Sequence, residues 1–116
     1  MEIEEYRNAL SSDTLRSKVR GVQHNPMLWG GQQVLIRFDN DWGASVVNHS
    51  GSYGVELAVI HFDAEGMEDW DIRYDTPLTE SYGVIGWLDP ETLRDLLEKI
   101  ARLTPNGNLN EIEEGN

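Results

Sequence analysis

The spacing of apolar residues changes along this chain, and each change marks an element. Ile3, Tyr6 and Leu10 fall at i, i+3 and i+7, and Leu15, Val19 and Val22 at i, i+4 and i+7, as one helix face requires. Ser11-Ser12-Asp13 lies between the two sets and offers N-cap residue types. Residues 1–26 are therefore expected to form a helical arm, as two short helices or one bent one. Asn25-Pro26 ends it, because a residue before proline is driven out of the α region.

From Gln33 the period falls to two. Val34, Ile36 and Phe38 point one way, Leu35 and Arg37 the other, as in a strand. Asp39-Asn40-Asp41-Trp42-Gly43 has the composition of a hairpin loop, and a returning strand follows from Ala44 to His49. After Ser50-Gly51-Ser52-Tyr53-Gly54, a flexible loop, comes the most apolar run. Val55, Leu57 and Val59 oppose Ala58, Ile60 and Phe62, which predicts a central strand covered on both faces. An acidic turn, 63–69, leads to a half-buried strand in which Trp70, Ile72 and Tyr74 alternate with Asp71, Arg73 and Asp75. Thr76-Pro77 breaks it, and 79–88 fits either a fifth strand or a short helical turn.

The helix that follows has a defined start. Asp89 is an N-cap, Pro90 is pre-set for the first helical position, and Glu91 favours the positive end of the dipole. Leu93, Leu96, Leu97, Ile100 and Leu103 then share a face, and Pro105-Asn106-Gly107 stops the helix. The fold class expected is α+β, an antiparallel meander of four to five strands packed on a C-terminal helix. One domain is expected over 1–104, with 1–26 as the arm and 27–104 as sheet plus helix. Residues 105–116 read as a disordered acidic tail.

Composition narrows the chemistry. The 116 residues include no cysteine, which excludes disulfides, thiolate metal sites and a cysteine nucleophile. Glu2, Glu4 and Glu5 stand where a secretory signal has a basic start, and no apolar run approaches the roughly 20 residues that cross a bilayer. A soluble cytoplasmic protein is expected. The net charge of −12 is unevenly spread: 1–38 hold four acids against five bases, a balance of +1, and 39–116 hold seventeen acids against four bases, a balance of −13. Such a segment repels a phosphate backbone and complements a basic protein.

No catalytic motif stands out. Asp39-Asn40-Asp41-Trp42-Gly43 resembles the start of a calcium loop, but an EF-hand needs glycine at its sixth position and glutamate at its twelfth, and those positions here are Ala44 and Ser50. His49 and His61 with Asp63 have no standard metal-ligand spacing. No metal and no cofactor are therefore expected. The candidate partner-binding residues are Asp63, Glu65, Glu68, Asp69 and Asp71, which offer carboxylates to arginine or lysine. Trp42 and Tyr53 join them as loop aromatics suited to anchor an interface. Trp70 and Trp87 sit in core-like patterns.

Trp29-Gly30-Gly31, Asp41-Trp42-Gly43-Ala44-Ser45-Val46-Val47, Gly51-Ser52-Tyr53-Gly54, Glu56-Leu57-Ala58-Val59, Tyr74-Asp75-Thr76-Pro77-Leu78-Thr79 and Val84-Ile85-Gly86-Trp87-Leu88 are the residues that carry a resemblance. Over about 27–103 the chain resembles a set of small uncharacterised accessory proteins of tailed phages and prophages. The resemblance implies a setting in an infected host cell and carries no site residues with it. The function expected is that of a non-enzymatic, phage-encoded inhibitor of a host defence enzyme acting on nucleic acid, working as a DNA mimic through its carboxylates. An immunity protein against a basic nuclease uses the same chemistry. The alternatives are a protein that sequesters a nucleotide signal, through Arg37, Arg73 and His61 with Trp42 or Tyr53, and a virion accessory protein.

Overall fold

The computed structural model describes residues 13–26, 31–48, 54–74, 76, 78 and 84–107. Its sheet has the strands β1 (Val19–Pro26), β2 (Gln32–Phe38), β3 (Trp42–Asn48), β4 (Val55–Phe62), β5 (Trp70–Ile72) and β6 (Val84–Ile85). A one-turn helix, α1 (Asp13–Arg16), precedes them and α2 (Pro90–Ile100) follows. The first five strands pair in chain order, all antiparallel. β5 and β6 share one edge of β4: β5 pairs with Ile60–Phe62, and β6 with Leu57 and Ala58. The α+β class and the meander agree with the sequence reading, and the ambiguous 79–88 contains a strand, β6.

Over 13–26 the expected helical arm is corrected. Among the described residues of 1–26 only Asp13–Arg16 is helical, and Val19–Pro26 is a strand with alternating burial that pairs along β2. Residues 1–12 lie outside the described residues. The helical spacing of Leu15, Val19 and Val22 is a coincidence across an element boundary: Leu15 is fully buried, whereas Val22 is 42% exposed.

The sheet divides the interior. On one side Val34, Ile36 and Phe38 of β2, Ala44 and Val46 of β3, and Val55, Leu57 and Val59 of β4 meet Leu93, Leu97 and Ile100 of α2. On the other side Leu35, Ile60 and Phe62 pack with Met67, Trp70 and Ile72. β4 is thus buried on both faces, as its unbroken apolar run requires.

The helix is fixed at both ends. Asp89 Oδ1 accepts from the Thr92 backbone N–H at 2.7 Å, and Leu88 and Leu93, flanking the cap, are buried in the same cluster as a hydrophobic staple. At the far end the β2–β3 loop supplies the cap: Asn40 Nδ2 donates to the carbonyls of Ile100 (2.9 Å) and Leu103 (3.1 Å). Beyond it, the Gly107 N–H donates to the Thr104 carbonyl at 2.8 Å and Gly107 is buried beside Trp42. The fold therefore continues to Gly107, past the expected boundary at 104, and 108–116 lie outside the described residues. Among the described residues no helix is long and apolar enough to cross a membrane.

Candidate partner-binding site

The acidic turn between β4 and β5 folds back over the far side of the sheet, away from α2. Its ends are joined by the Asp63 N–H donating to the Asp69 carbonyl at 2.9 Å. Its middle is held from beneath by Arg37. Alternation along β2 points this side chain away from the helix, into the far-side core, where it is 4% exposed. The guanidinium lies 5.0 Å from the centre of the Phe62 ring. Nη1 donates to the carbonyls of Ala64 and Gly66, both at 2.7 Å, and Nη2 to Asp41 Oδ1 at 2.8 Å. A planar guanidinium serves three acceptors at once here, which an ammonium on a flexible stem does not do with fixed geometry. Its Nε is buried without a hydrogen-bond partner.

A second cation braces the loop from its edge. The register of β1 on β2 slips between Val19 and Gly21, so Arg20 is the extra residue of a β-bulge, a device that re-aims a side chain. Arg20 reaches Asp41 at 3.1 Å and Glu65 at 2.9 Å. Gly21 leaves room for Met67 beneath the loop, since a Cβ there would lie 2.8 Å from the Met67 sulfur. Arg20, Gly21, Arg37, Gly66 and Met67 surround a cavity of about 130 Å³. The hydrogen bond from Arg37, with the charges of Arg37 and Arg20, holds the Asp41 carboxyl below the ordinary aspartate range against the opposing effect of burial.

On this support stand Asp63, Glu65, Glu68 and Asp69, whereas Asp71 lies in β5 opposite His61, on the helix side of the sheet. Asp63, Glu65, Glu68, Asp69 and Asp71 are all exposed. Glu65 is paired with Arg20, and Asp63 Oδ1 lies 3.1 Å from His61 Nδ1. Among the described residues Glu68, Asp69 and Asp71 make no salt bridge. Glu91, Asp95 and Glu98 lie on α2 among Arg94, Lys99 and Arg102, on the opposite side of the sheet from the turn.

The aromatic candidates are redistributed. Trp42 is not a surface anchor: it is fully buried, its indole N–H donates to the Thr104 carbonyl at 2.9 Å, and its ring meets His61 edge-on with centres 4.7 Å apart. Arg73 lies over the same ring, 5.1 Å from its centre. Tyr53 lies outside the described residues. Trp87, expected in the core, is instead 76% exposed, with a left-handed backbone at φ 55°. The sequence held one signal for this. Trp87 stands two residues ahead of the N-cap Asp89, where the chain turns from strand to helix and the strand alternation no longer applies.

The donors of a nucleotide pocket do not converge. Arg37 is buried on the far side of the sheet, whereas Arg73 and His61 stand at Trp42 on the helix side. Among the described residues no group of three His, Asp or Glu side chains is placed to hold a metal ion, and 39–41 form a capping turn rather than a calcium loop. Compared with family models, curated proteins and solved structures, the chain matches none.

Proposed function

We propose that this chain is a binding protein whose 63–71 segment presents carboxylates to a basic protein surface, as a phage-encoded inhibitor of a host enzyme acting on nucleic acid would. One observation carries the reading: the carboxylates of Asp63, Glu65, Glu68 and Asp69 are exposed on a loop whose backbone is held by a buried arginine through the carbonyls of Ala64 and Gly66. A solubilising acidic loop needs no such support. A recognition loop gains from it, because ordering the loop before contact lowers the entropy lost on association. The mechanism is electrostatic steering followed by pairing of Glu68, Asp69 and Asp71 with arginine or lysine where the target enzyme takes phosphates. The phage setting comes from the resemblance over 27–103, and the separation of Arg37 from Arg73 and His61 argues against the nucleotide-sequestering alternative.

The test is capture of partners from host lysate on the wild-type chain and on a variant carrying Asp63→Asn, Glu65→Gln, Glu68→Gln, Asp69→Asn and Asp71→Asn. The reading expects a basic enzyme of nucleic acid that the wild type holds at low salt, releases at high salt, and that the variant does not hold. A partner held equally by both proteins contradicts it.

A further inference from the structure

We infer, resting on the reading of 63–71 as the binding segment, that His61 is a pH-sensitive control on that segment. On taking a second proton its ring forms an ion pair with Asp63 and so reduces the negative charge offered to a basic partner. The ring is placed for this. His61 lies in β4 just before the acidic turn, and its side chain is 22% exposed, so solvent reaches it. Its ring packs edge-on with Trp42, which is fully buried and tied to the Thr104 carbonyl. Contact with this fixed indole limits rotation of the imidazole and keeps Nδ1 3.1 Å from Asp63 Oδ1. An ionised carboxylate only accepts hydrogen bonds, so Nδ1 carries the proton of the neutral ring and Nε2 takes the second. Nδ1–H donates to Asp63 in both states, and protonation changes the charge of the contact without rearranging it. Histidine is the side chain whose charge ordinarily changes between about pH 5 and 8.

The charged groups around the ring decide which carboxylates respond. Asp63 follows it along the chain. Asp71 stands opposite it on β5, and directly opposed residues of an antiparallel pair share a face. Asp41, at the head of β3, feels the charge of His61 but is already engaged by Arg37 and Arg20. Arg73 lies over the same indole from the β5 side. From beyond α2, the group that meets Trp42 is the uncharged Thr104 carbonyl. An imidazolium therefore acts chiefly on Asp63 and Asp71, both members of the binding segment. Asp63 also closes the acidic turn through its N–H on the Asp69 carbonyl, so its amide reports on the turn directly.

The test follows the His61 ring and the Asp63 backbone amide of the full chain by NMR from about pH 8 to about pH 5, with His61→Asn as the control that also assigns the ring signal. Asparagine keeps an N–H donor in place of Nδ1 and gains no charge. In the wild type both signals should move together with one midpoint. In His61→Asn the Asp63 amide should stay still until the carboxylates themselves titrate. A capped Gly-Arg-Gly-Arg-Gly peptide at low salt should bind 63–71 of the wild type about two- to fivefold more weakly at the acid end of the range, and His61→Asn equally at both ends. In Asp63→Asn the ring should still titrate while the pH effect on affinity shrinks. A peptide that leaves the 63–71 amides unmoved at the alkaline end overturns the binding segment and this inference with it. An Asp63 amide that does not follow His61, or an equal loss of affinity in wild type and His61→Asn, overturns this inference alone.

Discussion

At the residue scale the decisive group is Arg37, a charge taken into an apolar layer and used there as scaffolding. It sits against Phe62 and serves Asp41 and the carbonyls of Ala64 and Gly66. Replacing it by methionine keeps much of the volume and removes every donor. Residues 64 and 66 are exposed, so water can reach their carbonyls, and the expected loss of stability is about 1–3 kcal/mol. The sharper effect is local: in Arg37→Met the Asp63 amide, which donates to the Asp69 carbonyl across the base of the turn, should exchange with solvent faster than in the wild type, while the amides of β4 change less. Asp41 gives a pH dependence of known sign. Its carboxyl is held below the ordinary aspartate value, mainly by the hydrogen bond from Arg37. Its contribution is therefore present above that value and is lost as pH falls through the lowered one. Urea midpoints of the wild type and Asp41→Asn should differ at neutral pH and converge in strong acid; a constant gap would contradict the assignment. Alternation in the sequence placed Arg37 opposite Val34, Ile36 and Phe38, but it does not reveal that 64–67 fold back to cover it. Trp42 and Trp87 were exchanged for the same reason. Burial of Trp42 depends on Thr104 and Gly107 arriving from the other end of the chain, which no local pattern contains.

Elements were legible where one period persisted over many residues. β2, β4 and α2 follow their apolar patterns closely, and the Asp89-Pro90-Glu91 start is where the helix begins. β1 was misread because its residues are half-exposed and Val19 and Val22 happen to continue a helical spacing from Leu15. Its strand state is decided by pairing with β2, a tertiary override of the local signal. Close approach between strands gives a prediction at this scale. A Cβ on Gly43 would meet the Ile36 carbonyl oxygen on β2 and lie 2.8 Å from Phe62 Cε2. Backbone is not free to move aside, so Gly43→Ala should destabilise by the upper end of about 1–3 kcal/mol or more. Gly21→Ala meets only the flexible end of Met67 and should cost less. Equal urea midpoints for the two variants would contradict this account of the sheet.

At the scale of the whole molecule the −13 balance over 39–116 is not one uniform face. Acids on α2 are interspersed with Arg94, Lys99 and Arg102, and Asp41 and Glu65 are engaged by Arg37 and Arg20. On the braced turn stand Asp63, Glu65, Glu68 and Asp69, and Asp71 follows in β5. The sequence located these carboxylates but not their support, since Arg20 reaches Glu65 across 45 positions of chain and Arg37 reaches the Gly66 carbonyl across 29. Charge steering is screened over about 10 Å at 0.1 M salt, so the central claim has a direct measure. It is the affinity of the captured partner for the wild type and the five-amide variant across a range of salt concentrations. Affinity of the wild type should fall steeply with salt, and that of the variant should be weak and nearly flat. Parallel, shallow lines of equal affinity would contradict the account.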